Sequence, residues 1–386
     1  MKAIKTIKVN KLLYFTLLLL LIFTTACGEE HLSEGSCSVN EDCSDSKVCD
    51  NNLCVVKEAK PFEVTGELYE IGNPTNRETL SLELINRARA NPTLEGEFLN
   101  ATGNNDVVGA ISFFKINMDL VVAAFKEYEV RPPIAFNKQL NQAALRTSSL
   151  MKEHDVQAHT INGIPFDQRI NESGYSWTNI GENIFAYAKS MVQGHAGFNI
   201  DWGEGPNGIQ NPPGHRNTIM GTKTVFKEVG ISVLTNIPSS LKVGPMIIAQ
   251  DFGIPQGNKN FITGVVYDDL NANKFYDLGE GIGGVTISTE NGAYKAVTTD
   301  SGAYTLPIDK IGDTRAQASG ENFPNQIQNI TLKYQNYKLD FNIQKNAANG
   351  DASIGFGLVK FIIKAVFEDA ETKVYQQAPT NVTLSK

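Results

Sequence analysis

At 386 residues the chain is long enough for two or three domains, each with a sizeable core. Its net charge of −8 comes from acidic and basic side chains that are well mixed, so the sequence carries no basic footprint for nucleic acid. The rare residues are clustered: all five cysteines precede residue 55, and four of the five histidines fall between His154 and His215.

Taken in chain order, Lys2, Lys5, Lys8 and Lys11 precede an apolar run from Leu12 to Ile22. This is the charged and apolar pattern of a secretory signal, too short for a comfortable transmembrane helix. Thr24-Thr25-Ala26-Cys27 then resembles a bacterial lipobox. The resemblance implies a signal peptide over 1–26, a lipid on Cys27, and an exported protein held at the cell envelope. Gly28 and Glu29, with no aspartate at the second position, are compatible by the same resemblance with an outer membrane. Cys37, Cys43, Cys49 and Cys54 are an even, closely spaced set with no cysteine after them, which reads as a two-disulfide knot whose three pairings stay open. Zinc is the alternative, against which stand export and the lack of a nearby Cys-x-x-Cys. The Ser, Asp and Asn between these cysteines cannot build an apolar core. Residues 27–74 are therefore expected to be a tether: polar from Glu29 to Ser36, then the crosslinked spacer, then a linker from Val55 to Pro74.

A helix is expected from about Asn76, with Leu80, Leu84, Ile85 and Ala88 on one face, ended by Pro92. Met118 to Glu127 and Leu140 to His154 are further amphipathic helices. Residues 206–213 are a loop rich in Gly, Pro and Asn, and strands are expected at Val229–Val233 and Met246–Phe252. Set among these are Ala158-His159-Thr160, Gly181-Glu182-Asn183, Trp202 with Glu204, and Pro213-Gly214-His215-Arg216-Asn217. Two imidazoles and two carboxylates, separated by stretches long enough to fold back, can converge on a cleft that holds a divalent cation or polarises a water.

That order of motifs resembles the CAP superfamily, also called the SCP or PR-1-like extracellular domain. Leu84-Ile85-Asn86-Arg87-Ala88-Arg89-Ala90-Asn91-Pro92, Pro132-Pro133-Ile134-Ala135-Phe136-Asn137, Gly174-Tyr175, Lys227-Glu228-Val229-Gly230 and Gln250-Asp251-Phe252-Gly253 extend the likeness. It implies an α-β-α sandwich over 75–255. His159, Glu182, Glu204 and His215 would form its central tetrad and bind Zn2+ or another divalent cation. Asp201 is the alternative to Glu204, because Asp201-Trp202-Gly203-Glu204-Gly205 is spaced unlike the better-known version. Trp202 is expected as a core anchor, Asn183 as a loop tie and Arg216 in a salt bridge, with His154 and His195 packed or solvated. The helical two-histidine metalloprotease signature is absent, and no Ser or Cys can be tied to these histidines as a nucleophile.

A second module begins near Phe261, where Ile262-Thr263-Gly264-Val265-Val266-Tyr267 reads as a strand. Asp269, Asn271, Asn273, Phe275, Asp277 and Glu280 then fill positions 1, 3, 5, 7, 9 and 12 of a calcium-loop template. Lys274 stands where an EF-hand has glycine. With Gly281-Ile282-Gly283-Gly284-Val285-Thr286-Ile287 and Thr299-Asp300-Ser301-Gly302-Ala303-Tyr304, the segment resembles an SdrD B-like or Cna B-like repeat, which implies a Ca2+-stiffened β-sandwich. Alternating residues from Ile330 to Tyr334 and from Tyr337 to Ile343 change parity at Gln335-Asn336, as two strands would. Ile354 to Phe367 reads as another strand or pair.

The expected fold class is α+β, a CAP α-β-α sandwich followed over 260–386 by an all-β region of prealbumin or Ig-like sandwich type. The expected function is a surface binding module for a lipid, peptide or envelope ligand, joined to the membrane by its N-terminal lipid. A metal-dependent hydrolase and a structural or adhesive surface protein are the alternatives.

Overall fold

The computed structural model describes residues 37–39, 41, 43, 47–50, 53–56 and 60–343. The signal, the Cys27 lipobox and the strand expected at 354–367 lie outside them. The chain divides into two units at Lys60/Pro61.

In the first unit β1 (Lys47–Asp50) and β2 (Leu53–Val56) pair as an antiparallel hairpin with Cys49 opposite Cys54. The disulfides join Cys37 to Cys49 and Cys43 to Cys54, so one of the three open pairings is selected. A lone hairpin is marginal in water. Crosslinks closing loops of this size remove unfolded-state entropy worth roughly 3 kcal/mol each. The only group of three or more metal-capable ligand atoms within 4.8 Å of one another among the described residues is Cys37, Cys43 and Cys54. Those thiols are consumed in disulfides and hold no metal.

The second unit is a mixed α+β fold. It opens with β3 (Glu67–Leu68), which pairs in parallel with Tyr294–Lys295, so part of the expected linker is an edge strand. Helix α1 (Asn76–Ala90) starts at a capping box in which Thr75 and Glu78 satisfy each other's backbone N–H groups. Pro92 ends α1 and also opens α2 (Pro92–Asn100), because a missing N–H costs nothing in a helix's first turn. Two helices follow, α3 (Asn105–Phe114) and α4 (Met118–Glu127). After β4 (Ala135–Phe136) come α5 (Lys138–Glu153), the short hairpin β5 (Thr160–Ile161) and β6 (Ile164–Pro165), and α6 (Phe166–Glu172). The long strand β7 (Trp177–Ala188), α7 (Met191–Ala196), α8 (Gly214–Met220), β8 (Glu228–Leu234) and β9 (Met246–Pro255) complete this half.

The central sheet has the order β4-β8-β9-β7, antiparallel except for β4 with β8. Strand alternation sends Val229, Ile231, Ile248 and Phe252 to one face, where they share a core with Leu84, Ile85 and Ala88 of α1 and Ile219 of α8. The opposite parity carries Ile247, Ala249 and Ile184 to a second core with Ala144 and Met151 of α5. Helix α5 lies so close to β8 that a Cβ at Gly230 would come within 1.9 Å of the Leu140 backbone. Glu182 shares parity with Ile184 and points to the α5 layer, whereas Asn183 points to the α1 layer.

The rest of the unit is β10 (Phe261–Asp268), β11 (Thr286–Thr289), β12 (Tyr294–Val297), β13 (Ala303–Pro307), β14 (Gly312–Gly320), β15 (Phe323–Leu332), β16 (Tyr337–Lys338) and β17 (Phe341–Ile343). One sheet runs β15-β14-β11-β12-β3, and the other runs β13-β10-β16 with β17 also on β10. They enclose a shared core of Ile262, Val266, Ile287, Tyr304, Leu306, Ile330 and Phe341. The parity change at Gln335-Asn336 is a passage between sheets: β15 pairs with β14, and β16 pairs in parallel with β10.

Strand β10 is buried on both faces, because Val265 and Tyr267 belong to the core that contains α1. That double burial explains a continuous apolar run in place of alternation. Polar ties reinforce the junction: Thr79 Oγ1 lies 2.7 Å from Ser301 Oγ, and Asn336 donates to the carbonyls of Pro133 and Lys227. Glu83 and Lys338 form a buried ion pair at 3.0 Å. Residues 61–343 are therefore one packed body.

Candidate functional site

His159 follows α5 on the turn before β5, and Glu182 sits within β7. The ring Nδ1 of His159 is 2.7 Å from Glu182 Oε1. With the carboxylate oxygen accepting, Nδ1 donates in this contact and Nε2 lies on the other side of the ring. The side chain of His159 is half exposed at 54%, and that of Glu182 is buried at 1%. Glu182 Oε2 accepts from Arg169 Nη2 at 2.8 Å and from Thr147 Oγ1 at 3.1 Å.

Arg169, on α6, is fully buried. It also donates to Thr147 Oγ1, the Ile164 carbonyl and the His159 carbonyl, at 2.8, 2.7 and 3.0 Å. One guanidinium thus ties α5, the β5–β6 turn and β7 around the carboxylate, using its fixed fork of donors. Asp251 is opposite Glu182 in the β7–β9 register and wholly buried, with neither oxygen accepting a hydrogen bond. Burial pushes the Asp251 carboxyl well above the usual carboxylate range, the neighbouring Glu182 adds to the rise, and Arg169 only partly opposes it. Of the two facing carboxyls, Asp251 is the one whose charged form burial disfavours.

The second imidazole has a parallel arrangement built differently. A single π-turn, Gly197–Asp201, follows α7 and ends with Asp201 in the left-handed region at φ 59°. Such turns and conformations are costly for a non-glycine residue and cluster at functional positions. Asp201 Oδ1 lies 2.7 Å from His215 Nδ1, and its Oδ2 accepts from the backbone N–H groups of His215 and Arg216 at 2.9 and 3.3 Å. One buried carboxylate therefore caps the start of α8 and fixes the His215 tautomer. Asn183 donates to the His215 carbonyl at 3.2 Å, tying α8 to β7.

Glu204 is exposed on the following loop, so the carboxylate bonded to His215 is that of Asp201. Neither histidine belongs to a group of three or more metal-capable side-chain atoms within 4.8 Å among the described residues. His159, Glu182, Glu204 and His215 are thus not gathered as one four-ligand set. Two separate imidazole–carboxylate pairs flank β7, His159 with Glu182 toward the α5 layer and His215 with Asp201 tied through Asn183 on the other, each using Nδ1. A carboxylate behind Nδ1 is the usual outer partner of a metal-binding imidazole. In this arrangement Glu182 and Asp201 orient the two rings.

Trp202 is a core anchor, stacked on Phe114 with centroids 6.5 Å apart and edge-on to Phe185. Phe185 meets Phe198, and Phe198 lies 5.4 Å from the His215 ring. Arg216 has no carboxylate partner. It donates to the Ile200 carbonyl and lies over the Phe125 ring at 5.8 Å. His154 is the exposed C-cap of α5. His195 is buried, with Nε2 2.7 Å from Glu95 Oε1. Glu95 also receives two bonds from Arg87, at 2.8 and 2.9 Å. Burial alone would raise the Glu95 carboxyl, but Arg87 and His195 overcome it and hold the group at about 2.

In the loop 269–280 the backbone wraps around side-chain oxygens. Asp269 accepts from Asn273 and Lys274 N–H groups, Asn271 from Asn273, and Asn273 from Phe275. Lys274 takes φ 63°, the left-handed turn that glycine makes in the template. Asn271 and Asn273 both donate side-chain N–H to Asp277 Oδ2, at 2.7 and 2.6 Å. Glu280 accepts from the backbone of Leu270 and Asp277. Burial raises Glu280 to about 7, and Asp277 and Asp269 push it the same way. The loop's short oxygens thus converge on its own N–H groups around a desolvated Glu280, and Asp269, Asp277 and Glu280 do not form a group of three metal-capable atoms within 4.8 Å. The Phe275 ring packs on the opposite side against Arg87 at 5.5 Å.

No family model and no curated protein matches the chain. Among solved structures it is distantly similar to an extracellular protein containing an SCP domain from Bacillus anthracis str. Ames, at 19% identity and a TM-score of 0.25. The match covers 38% of this chain and spans about 40% of the length of that one.

Proposed function

We propose that this chain is an exported, lipid-anchored surface protein. In this reading Cys27 carries the lipid, and residues 75–255 form a CAP-type α-β-α module presenting a binding cleft at His159 and His215. Residues 260–343 form a prealbumin-like sandwich whose 269–280 loop takes Ca2+. The ligand is a lipid, a peptide or an envelope component. The observation that carries the reading is the pair of imidazoles, each locked into one tautomer by a buried carboxylate. Nature of the shell supports a binding role: Arg169, Thr147 and Asp251 hold Glu182 rigidly, and Asp201 is held by a helix terminus. Rigid outer partners define where Nε2 points. A divalent cation bound there would supply positive charge for a polar ligand group, and the chain's own residues would fix its position.

Calorimetric titration of the full chain with Zn2+ tests the cleft. His159→Ala and His215→Ala are each expected to abolish saturable binding, and Asp201→Asn to weaken it roughly 10–100-fold. Glu204→Gln should leave it unchanged. Undiminished binding in both histidine variants would sink the cleft. Fractionation of a Cys27→Ser variant tests the anchor, with release from the membrane fraction expected.

A further inference from the structure

The crosslinked spacer holds two bridges that interleave along the chain, Cys37 to Cys49 and Cys43 to Cys54. The bridges are also packed against each other, because the sulfurs of Cys37, Cys43 and Cys54 all lie within 4.8 Å of one another. That is little more than contact between sulfur atoms. Cys49 is outside the group, although its Cα is paired with that of Cys54 across the β1–β2 hairpin. One bridge therefore reaches the other through Cys37. Burial sets the same residue apart: Cys37 is 4% exposed, whereas Cys43, Cys49 and Cys54 are only half-buried.

A thiolate from solution attacks the disulfide sulfur it can reach and expels the other sulfur as a thiolate. At the first bridge the accessible sulfur is Cys49, so the one expelled is Cys37. The expelled sulfur is buried and already beside the second bridge. Its nearest electrophile is the Cys43–Cys54 bond, held close by the fold rather than supplied by diffusion, and that proximity favours the internal attack.

We propose that the spacer is a thiol-responsive exchange element, in which Cys37 carries a break made at one bridge across to the other. The step needs a small-molecule thiol and no oxidant. The thiol sulfur bonds to Cys49 Sγ, the Cys37–Cys49 bond breaks, and its electron pair leaves on Cys37. Cys37 Sγ then bonds to Cys43 or Cys54, and the Cys43–Cys54 bond breaks. Its electron pair leaves on the other of those two sulfurs, which takes up the proton shed by the incoming thiol. Two S–S bonds remain throughout, one of them now joining Cys49 to the added thiol. Attack on the second bridge converges on a similar end: the expelled Cys43 or Cys54 bonds to Cys37, and the electron pair leaves on Cys49. By either route Cys37 gains a new partner and Cys49 loses its native one. Cys49 is the only cysteine on β1, so the exchange removes that strand's crosslink from a hairpin that is marginal alone.

The test uses the full chain carrying Cys27→Ser, which removes the fifth sulfur from the count. One equivalent of glutathione is added at about pH 8, where a free thiol is partly ionised. Free thiols are then blocked with a maleimide, and the chain is cut at Asp42, Asp45 and Asp50, which puts each cysteine on its own peptide. Mass spectrometry should find Cys37 joined to Cys43 or Cys54 in most of the chains that have reacted. Chains opened at one bridge with the other native bridge intact overturn the proposal. So does a yield of new pairs that rises with chain concentration, which would mark exchange between copies. Two further variants separate reach from general lability. Cys49→Ser leaves Cys37 as the odd thiol, and the remaining bridge should spread over Cys37, Cys43 and Cys54 with no added thiol. Cys37→Ser leaves Cys49, outside the group, and Cys43–Cys54 should stay paired in roughly nine chains of ten. Equal scrambling in the two variants, or a bridge that stays at Cys43–Cys54 in both, overturns the proposal. Where a variant does not form the hairpin, the pairs found in the chain with all four cysteines decide.

Discussion

The histidine pairs beside β7 and the 269–280 loop treat buried acid in opposite ways. Around β7 and α2 the protein supplies side-chain partners: Arg169 and His159 for Glu182, His215 for Asp201, Arg87 and His195 for Glu95. In the loop, Asp277 and Glu280 are met by amide N–H groups, and Glu280 is pushed up. A carboxylate met by a cationic side chain orients its neighbour, whereas one met only by dipoles stays desolvated and is pushed up. The two regions therefore answer to different perturbations.

The largest break in that comparison is Arg169→Met. It leaves Glu182 and Asp251 buried together without the guanidinium, and should cost roughly 3–5 kcal/mol by denaturant titration. A cost below about 1 kcal/mol would show that Glu182 does not depend on Arg169 for its charge. Acid comes next. Glu95 sits near 2 in the folded protein against an ordinary 4.5, so its contribution is present above 4.5 and lost as pH falls toward 2. That window is worth roughly 3 kcal/mol. Glu95→Gln should flatten the melting profile between pH 4.5 and 2.5, and an unaltered slope would count against the pair. Calcium sharpens the other side. At a hundredfold excess over its dissociation constant, Ca2+ should add about 2.7 kcal/mol to the stability of the second unit. Because Tyr267 and Tyr276 share a core with α1, the gain should appear as one shifted transition. An unmoved melt across millimolar calcium, or the same shift in Asp277→Asn, would remove the loop as a site.

Much of the scaffold was legible in the sequence where a period or punctuation reports it. Helix α4 falls at Met118–Glu127 as its amphipathic pattern predicts, and the start of α1 at Asn76 follows from its apolar stripe. The run Ile262–Tyr267 marks β10, though the reason for its continuity, a second core against α1, has no local trace. Helix α3 was not read from the sequence, although its inward stripe of Val107, Ala110, Ile111 and Phe114 has helical spacing. The histidines were named by their motifs, but their partners were not all found. Asp201 and Glu204 are three residues apart, and a π-turn ending at a left-handed Asp201 decides which one meets His215. Arg169 and Asp251 carry no motif of their own, and Glu95 finds His195 across 100 positions.

Local chemistry thus determined the start of α1, the span of α4, the strand β10, the four spacer cysteines and the identity of the two imidazoles, since each depends on neighbours along the chain. Tertiary structure alone decided the disulfide pairing, the carboxylate behind each ring, the burial of Asp251 opposite Glu182 and the fusion of the two halves through β10. Those outcomes turn on burial and on distances between residues far apart in sequence, and burial is a property of the packed molecule.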